Sequence, residues 1–266
     1  MHALVNIAVR AARRAGDLIM RNLNHLNELT VTTKSRNDFV SEVDRLAERE
    51  IIEAIRHSYP NHAFLAEESG ASGESEDVWV IDPLDGTTNF LHGFPVFAVS
   101  IAFRRRGVIE HAVVYDPPRQ ELFTASRGAG AQLEGRRIRV SAQRTLEGAL
   151  IGTGFPYHQN AAHIDRYLGM FKAVSSRAAG VRRPGAAALD LAYVAAGRLD
   201  GFWEIGLREW DMAAGALLIR EAGGLIGNLR GDDGFLESGN VAAGTPKVFA
   251  ELLHAFAPHL NDELSR

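Results

Sequence analysis

Three short acidic stretches hold the residues with the most chemistry in them. The first, "VWVIDPLDGTTNF" at residues 78–90, is an apolar strand-like run ending in Asp82 and Asp85, followed by Gly86 and the hydroxyls of Thr87 and Thr88. Two carboxylates held close together repel, and partial burial sharpens the repulsion. A shared proton, an arginine or a bound cation relieves it. The motif contains no arginine, and Pro83 stiffens the turn between the acids. That favours a preformed site for a hard divalent ion such as Mg²⁺ or Mn²⁺. Gly86 lets the backbone approach a ligand closely. Thr87 and Thr88 are placed to cap a short helix whose free N–H groups face an anion. A cation site beside an anion site suits a phosphate with its metals. Taken alone, an Asp-x-x-Asp pair reads as a solvated turn with capping acids.

The second stretch, "AFLAEESG", ends a strand with Glu67 and Glu68. Alone it reads as a solvated loop. The third, "REWDMAAG", puts Asp211 at a helix start, where alone it reads as an N-cap. A further acid, Asp44, falls at the margin of an apolar helical stripe and needs a partner there, a salt bridge being the plain one. No phosphate loop, H-E-x-x-H or G-x-S-x-G motif is present. His92, close to the first motif, reads as a surface loop residue.

The elements that must position these residues follow from periodicity. Residues 3–27 carry a helical pattern, and a second helix is expected to start near Asp38 and end at Tyr59-Pro60-Asn61. Strands are expected at 62–66 and 78–82. "VFAVSIAF", "VIEHAVVYDP" and "ELFTAS" read as antiparallel strands. The second half alternates: strand "ALIGTG", a helix over 160–176, helix "GAAALDLAYVAAG", strand "DGFWEIG", helix "DMAAGALLIREAGG", short strands "LIGNL" and "NVAAG", and a closing helix "KVFAELLHAF". This pattern predicts a layered α/β arrangement.

At 266 residues and 46% hydrophobic content, the chain can build a substantial core. No apolar run approaches the ~20 residues that span a bilayer. The formal net charge of -4 argues against sequence-independent nucleic-acid binding by the whole chain. The chain has no cysteine. That excludes disulfides, thiolate metal sites and a cysteine nucleophile, and it is compatible with a cytoplasmic location.

Taken together and in order, "AEES", "WVIDPLDGTTNF" and "WDMAAG" resemble the inositol monophosphatase family of metal-dependent, lithium-sensitive phosphatases. The likeness runs from the N-terminal helix to "NVAAGTPKV", and "ELFTASRGAGAQL" and "REAGG" look closest to its bacterial SuhB-type branch. The resemblance implies one domain over 1–266, an α/β (α+β) fold layered as an α/β/α/β/α sandwich. It implies two or three Mg²⁺ per site. Glu67 and the Leu84 carbonyl would bind the first, Asp82 would bridge, and Asp85 and Asp211 would complete the second. Thr87 would touch the attacking water and Asp44 would orient it. Backbone N–H groups of Gly86 and Thr87 would hold phosphate, and Glu204 would hydrogen-bond substrate hydroxyls. Gly185 and Ala187 would line the pocket, with Asp85 and Asp211 also facing the substrate.

The implied reaction is hydrolysis of inositol monophosphate, or a similar small polyol or sugar phosphate, without a covalent intermediate. Fructose 1,6-bisphosphate, NADP and 3′-phosphoadenosine 5′-phosphate are the alternative substrates. The resemblance also implies a homodimer and a binding role with RNA polymerase and antitermination factors. The clusters Arg104 to Arg106, Arg136-Arg137-Arg139 and Arg182-Arg183 would serve a partner or RNA, or else be solvated strand ends and a dimer face. One position departs: many members have Ser or Thr after the glycine matching Gly185, and this chain has Ala186.

Overall fold

The computed structural model describes residues 2–26, 31–35, 38–156 and 158–265. In chain order, the first half runs α1 (Ala3–Leu23), β1 (Val31–Ser35), β2 (Asp38–Ser41), α2 (Glu42–Ser58), β3 (Ala63–Ala66), β4 (Gly70–Ser72), β5 (Asp77–Asp85) and α3 (Thr87–Leu91). Then come β6 (Ala98–Arg105), β7 (Val108–Asp116), β8 (Glu121–Ser126), β9 (Gly130–Leu133) and β10 (Arg136–Arg137). The second half runs β11 (Leu150–Thr153), α4 (Ile164–Ser175), β12 (Gly180–Arg182), α5 (Ala187–Ala195), β13 (Gly201–Glu204), α6 (Glu209–Glu221), β14 (Leu225–Gly227), α7 (Phe235–Ser238), β15 (Val241–Gly244) and α8 (Pro246–Phe256).

The central strands are apolar on both faces because both faces are covered. On β5, Trp79 and Ile81 enter one core while Val80 enters another, and on β6 Val99, Ile101 and Phe103 oppose Ala98 and Ala102 in the same way. Among the described residues, these strands belong to an eight-stranded sheet ordered β10-β9-β8-β7-β6-β5-β3-β4. A five-stranded sheet is ordered β12-β11-β13-β15-β14. Helices α1 and α2 cover the outer face of the large sheet. Helices α5 and α6 lie between the two sheets, and α4 and α8 cover the small sheet from outside. The result is the α/β/α/β/α layering. The middle helices have apolar residues all round, since each touches both sheets.

Three expectations are corrected. The second helix does not start near Asp38: residues 38–41 form β2, paired antiparallel with β1, and α2 opens at Glu42 with Ser41 as its cap. Ser41 and Asp44 form a capping box, which sets that boundary. The first helix stops at Leu23, with residue 27 outside the described residues. The helix expected over 160–176 begins as a 3₁₀ segment, His158–His163, before α4. Among the described residues, no helix is long and apolar enough to cross a membrane.

Candidate active site

Strand ends gather the acids. Asp82 pairs with Ser100 and Asp85 with Ala98, so three steps on β5 oppose two on β6. This bulge, at Pro83 and Leu84, re-aims the end of the strand. Parallel pairing of β3 with β5 sets Ala66 beside Ile81, so Glu67, the next residue, comes level with Asp82. The Glu67 N–H donates to the Ile81 carbonyl at 3.1 Å. Across the sheet, the Ser100 hydroxyl donates to the Trp210 carbonyl at 3.2 Å, which ties the start of α6, and with it Asp211, to the strand opposite Asp82.

Asp82 is buried, and its Oδ1 accepts from the Leu84 N–H at 3.0 Å. Burial, then the negative charges of Glu67, Asp85 and Asp211, push its carboxyl well above the usual range. Asp85 is pushed up by burial and by Asp211, against hydrogen bonds from the Ala188 and Ala187 N–H groups. The Ala188 bond measures 2.7 Å. Asp85 therefore caps α5 from another part of the chain. Ala186, at the N-cap position, makes no side-chain cap. Asp211 is the third residue of α6, and its Oδ2 accepts from the Arg208 N–H at 2.7 Å. Asp211 is therefore not the N-cap expected of it: Arg208 holds that position, and Asp211, three residues later, supplies the return bond of a capping box.

Gly86 has φ 93°, and a Cβ there would meet the Val96 carbonyl at 2.9 Å, so glycine is required. It is the N-cap of α3, a single turn, and no threonine hydroxyl caps that helix. Thr87 Oγ1 instead lies 2.7 Å from Asp44 Oδ1 and 3.1 Å from the Leu84 carbonyl. Thr88 is exposed. Asp44 is fully buried and, among the described residues, makes no salt bridge. Its Oδ2 accepts from the Ser41 N–H at 2.8 Å and from the Ser41 hydroxyl. Burial raises its pKa, against the bonds from Ser41 and Thr87. His92 is an exposed loop residue, with Nδ1 at 2.8 Å from the Thr88 carbonyl.

The small sheet supplies the other wall. Glu204 ends β13 and is 6% exposed. Parallel pairing sets Thr153 beside Trp203, so Gly154 comes level with Glu204, and a Cβ on Gly154 would lie 2.0 Å from Glu204 Oε1. Burial, then Asp211 and Asp85, push the Glu204 carboxyl up to about 8, while Arg183 opposes the shift. Gly185, with φ 88°, is held against Gly86: the Asn89 amide nitrogen lies 2.8, 2.9 and 3.2 Å from the carbonyls of Val96, Pro184 and Gly185. Ala187 opens α5 beside Asp85. The structure thus brings Glu67, Asp82, Asp85 and Asp211 together, with Glu204 close enough to feel the charges of Asp85 and Asp211. Gly154, Asn89, Ser41 and Asp190 were not singled out by sequence reasoning. Asp190 is buried, its carboxyl pushed well up by burial, with an oxygen that has no hydrogen-bond partner among the described residues. An acid inside the apolar run "AALDLAYVA" was its signal.

The donors around Asp82 are carboxylates and a carbonyl, with no sulfur, which suits a hard cation. Among the described residues, no three carboxylate or imidazole side chains already close on one point.

A family model, described as the inositol monophosphatase family, matches residues 1–261. The chain belongs to the inositol monophosphatase family. Within this family of phosphatases it is 57% identical to Nus factor SuhB of Pseudomonas aeruginosa, with 100% of each chain covered. Two solved members of the family have the same fold. The extragenic suppressor protein suhB of Bartonella henselae matches at a TM-score of 0.93 and 45% identity, covering 96% of this chain and 98% of that one. The IMPase of Thermotoga maritima matches at 0.89 and 32%, covering 97% and 98%.

The Glu204 shift has a measurable consequence. In the unfolded chain this carboxyl ionises near its ordinary value of 4.5, whereas in the folded metal-free protein it keeps its proton to about 8. The unfolded state therefore binds fewer protons across that window, and stability falls as pH rises through it. Glu204→Gln is expected to flatten this part of the metal-free melting temperature against pH curve. An unchanged slope between those pH values would refute the assignment.

Proposed function

We propose that this protein hydrolyses a small polyol or sugar phosphate, with inositol monophosphate as the leading substrate, to the alcohol and inorganic phosphate. The observation that carries the reading is the placement of buried Asp82 level with Glu67 on β3 and opposite the Ser100 that ties down the start of α6 and Asp211, with Asp85 and the Gly86 turn directly after it. Two or three Mg²⁺ would be held by Glu67, Asp82, Asp85, Asp211 and the Leu84 carbonyl. Bound there, Mg²⁺ supplies neutralisation of the phosphate oxygens and stabilises the leaving alkoxide. The N–H groups of Gly86 and Thr87, at a helix start with no partner inside the helix, receive a phosphate oxygen. Thr87 and Asp44 orient the attacking water in line with the ester bond. Glu204 meets substrate hydroxyls, and Gly185 and Ala187 shape the wall with Asp85 and Asp211.

Phosphate release is the test, measured with and without Mg²⁺ on inositol monophosphate, fructose 1,6-bisphosphate, NADP and 3′-phosphoadenosine 5′-phosphate. Mg²⁺-dependent release from inositol monophosphate above the others, inhibited by Li⁺, is the expected result. No release from any of them with metal present would overturn the reading.

The close approach of Gly154 to Glu204 gives a sharper check. In Gly154→Ala the new methyl displaces the Glu204 carboxyl, the far end of a flexible side chain, so the fold survives. KM for a polyol phosphate is expected to rise about 10-fold or more, the scale of one lost hydrogen bond to a charged or polar group. Hydrolysis of a phosphate ester without ring hydroxyls should change little. Equal losses on both substrates would refute the role given to Glu204.

A second reading is binding to transcription complexes, supported by the relatives named Nus factor SuhB, with a homodimer in the cytoplasm proposed alongside it. Arg104, Arg105 and Arg106 have intrachain partners in Glu209, Asp77 and Glu76. Arg136, Arg137, Arg139, Arg182 and Arg183 are exposed and are the better surface for a partner or RNA. Capture of RNA polymerase by the Asp82→Asn variant would separate this role from catalysis. Loss of capture along with activity would count against a separate role.

A further inference from the structure

We propose that Glu48 is a positioning residue for metal binding, acting through the backbone that carries Glu67. This rests on the reading that Glu67 holds a metal. Asp44 and Glu48 are four apart on α2 and share one face. Both are buried, at 0% and 3% exposure, where carboxylates are seldom found without partners. Asp44 holds the Thr87 hydroxyl. Glu48 Oε2 accepts from the Glu68 N–H at 2.8 Å, across twenty residues of sequence.

The chain reverses sharply at this point. β3 ends at Ala66, which pairs with Gly70 at the start of β4, so Glu67, Glu68 and Ser69 form the turn. Turn amides at a surface are ordinarily satisfied by water. Here the Glu67 N–H is fixed to the Ile81 carbonyl and the next N–H is fixed to Glu48. With both successive amides held, the direction in which the Glu67 side chain leaves the backbone is set. α2 thus braces two separate parts of the site, Thr87 through Asp44 and Glu67 through Glu48. Partners that orient metal ligands in this way typically change metal affinity about 10–100-fold when removed.

Titration calorimetry of the full chain with Mg²⁺, and with Mn²⁺ as a tighter probe, tests this. Glu48→Ala is expected to weaken metal association by about 10–100-fold while kcat at saturating metal holds. Glu48→Gln keeps an oxygen that can accept from the Glu68 N–H, and it should bind within about threefold of the parent, since the geometry is retained. If Glu48→Ala does not fold cooperatively, Glu48→Asp, whose carboxylate is one methylene short, carries the same expectation. Parental affinity in the folded Ala or Asp variant overturns the proposal. So does a Gln variant as weak as Ala, because the charge and not the hydrogen bond would then matter. If the parent chain itself binds no metal, the reading of the whole site fails with it.

Discussion

Asp82→Asn folds, loses nearly all Mg²⁺-dependent phosphatase activity, and melts at a higher temperature than the parent when metal is absent. The amide keeps the size of the side chain, and its oxygen can still accept from the Leu84 N–H. What it loses is the charge that would be shared between cations, so the site can no longer offset their mutual repulsion. The gain in stability has the same origin. Folding brings the Asp82 carboxyl into burial beside Glu67, Asp85 and Asp211, and each of these raises its pKa. Above the ordinary carboxylate range the unfolded chain gives up this proton while the folded chain resists doing so. The parent therefore loses stability as pH rises, and the variant does not lose that part of it. Relief of a strained functional group is typically worth about 0.5–2 kcal/mol, or ~2–4 °C per kcal/mol in a chain of this size. Scanning calorimetry with a chelator, paired with a phosphate-release assay, reads both effects. Full activity in the purified variant would sink the metal assignment. A lower metal-free melting temperature would show that the acids are not strained.

How much of this was legible beforehand depended on whether a residue's role is local. Asp82, Asp85 and Gly86 are consecutive enough that repulsion, a stiff turn and close backbone approach could be argued from the sequence itself. A layered α/β arrangement was legible in the helices that bracket a strand-rich middle and the alternation that follows, while the five-layer order came from the family resemblance. The start of α2 was misread because Phe39 and Val43 fit a helical spacing, while the capping box of Ser41 and Asp44 overlaps that stretch and starts the helix at Glu42. Thr87 was expected to cap α3 by propensity. Its hydroxyl is instead drawn to Asp44, forty-three residues earlier in the chain. Gly154, Asn89 and the α5 cap supplied by Asp85 were not legible at all. Each depends on strands or loops from distant parts of the sequence coming level, and no local pattern records register between them. The departure at Ala186 falls in the same class: its missing hydroxyl leaves α5 uncapped in sequence, and the compensation comes from the other sheet.

Thr87→Ala and Asp44→Asn are each expected to lower kcat by roughly 10² or more, the scale of general acid–base work, with little change in KM. The Thr87 hydroxyl has one proton, and its shorter contact is to Asp44 Oδ1, so it donates there and its lone pairs are left to accept. A water that donates to Thr87 is thereby oriented, and Asp44 is positioned to draw charge through the hydroxyl. No help from a helix dipole is needed, since α3 is a single turn. Burial raises the Asp44 pKa and makes it a better base than an exposed aspartate, while the Ser41 bonds keep it in place. In Asp44→Asn the amide has one oxygen for donors on two sides, the Ser41 N–H and hydroxyl on one and the Thr87 hydroxyl on the other. Whichever way it turns, one side faces an NH₂ group, and the neutral amide can no longer draw charge through the Thr87 hydroxyl, so the relay is broken. Because the relay acts on the attacking water and not on the substrate, its loss falls on the transition state and leaves substrate binding alone. The double variant should be little worse than either single one, since one relay is broken once. Steady-state kinetics at saturating Mg²⁺, with metal binding measured separately, decides the matter. Losses that multiply in the double variant, or a raised KM with kcat preserved, would show that the two residues do not act together on the water.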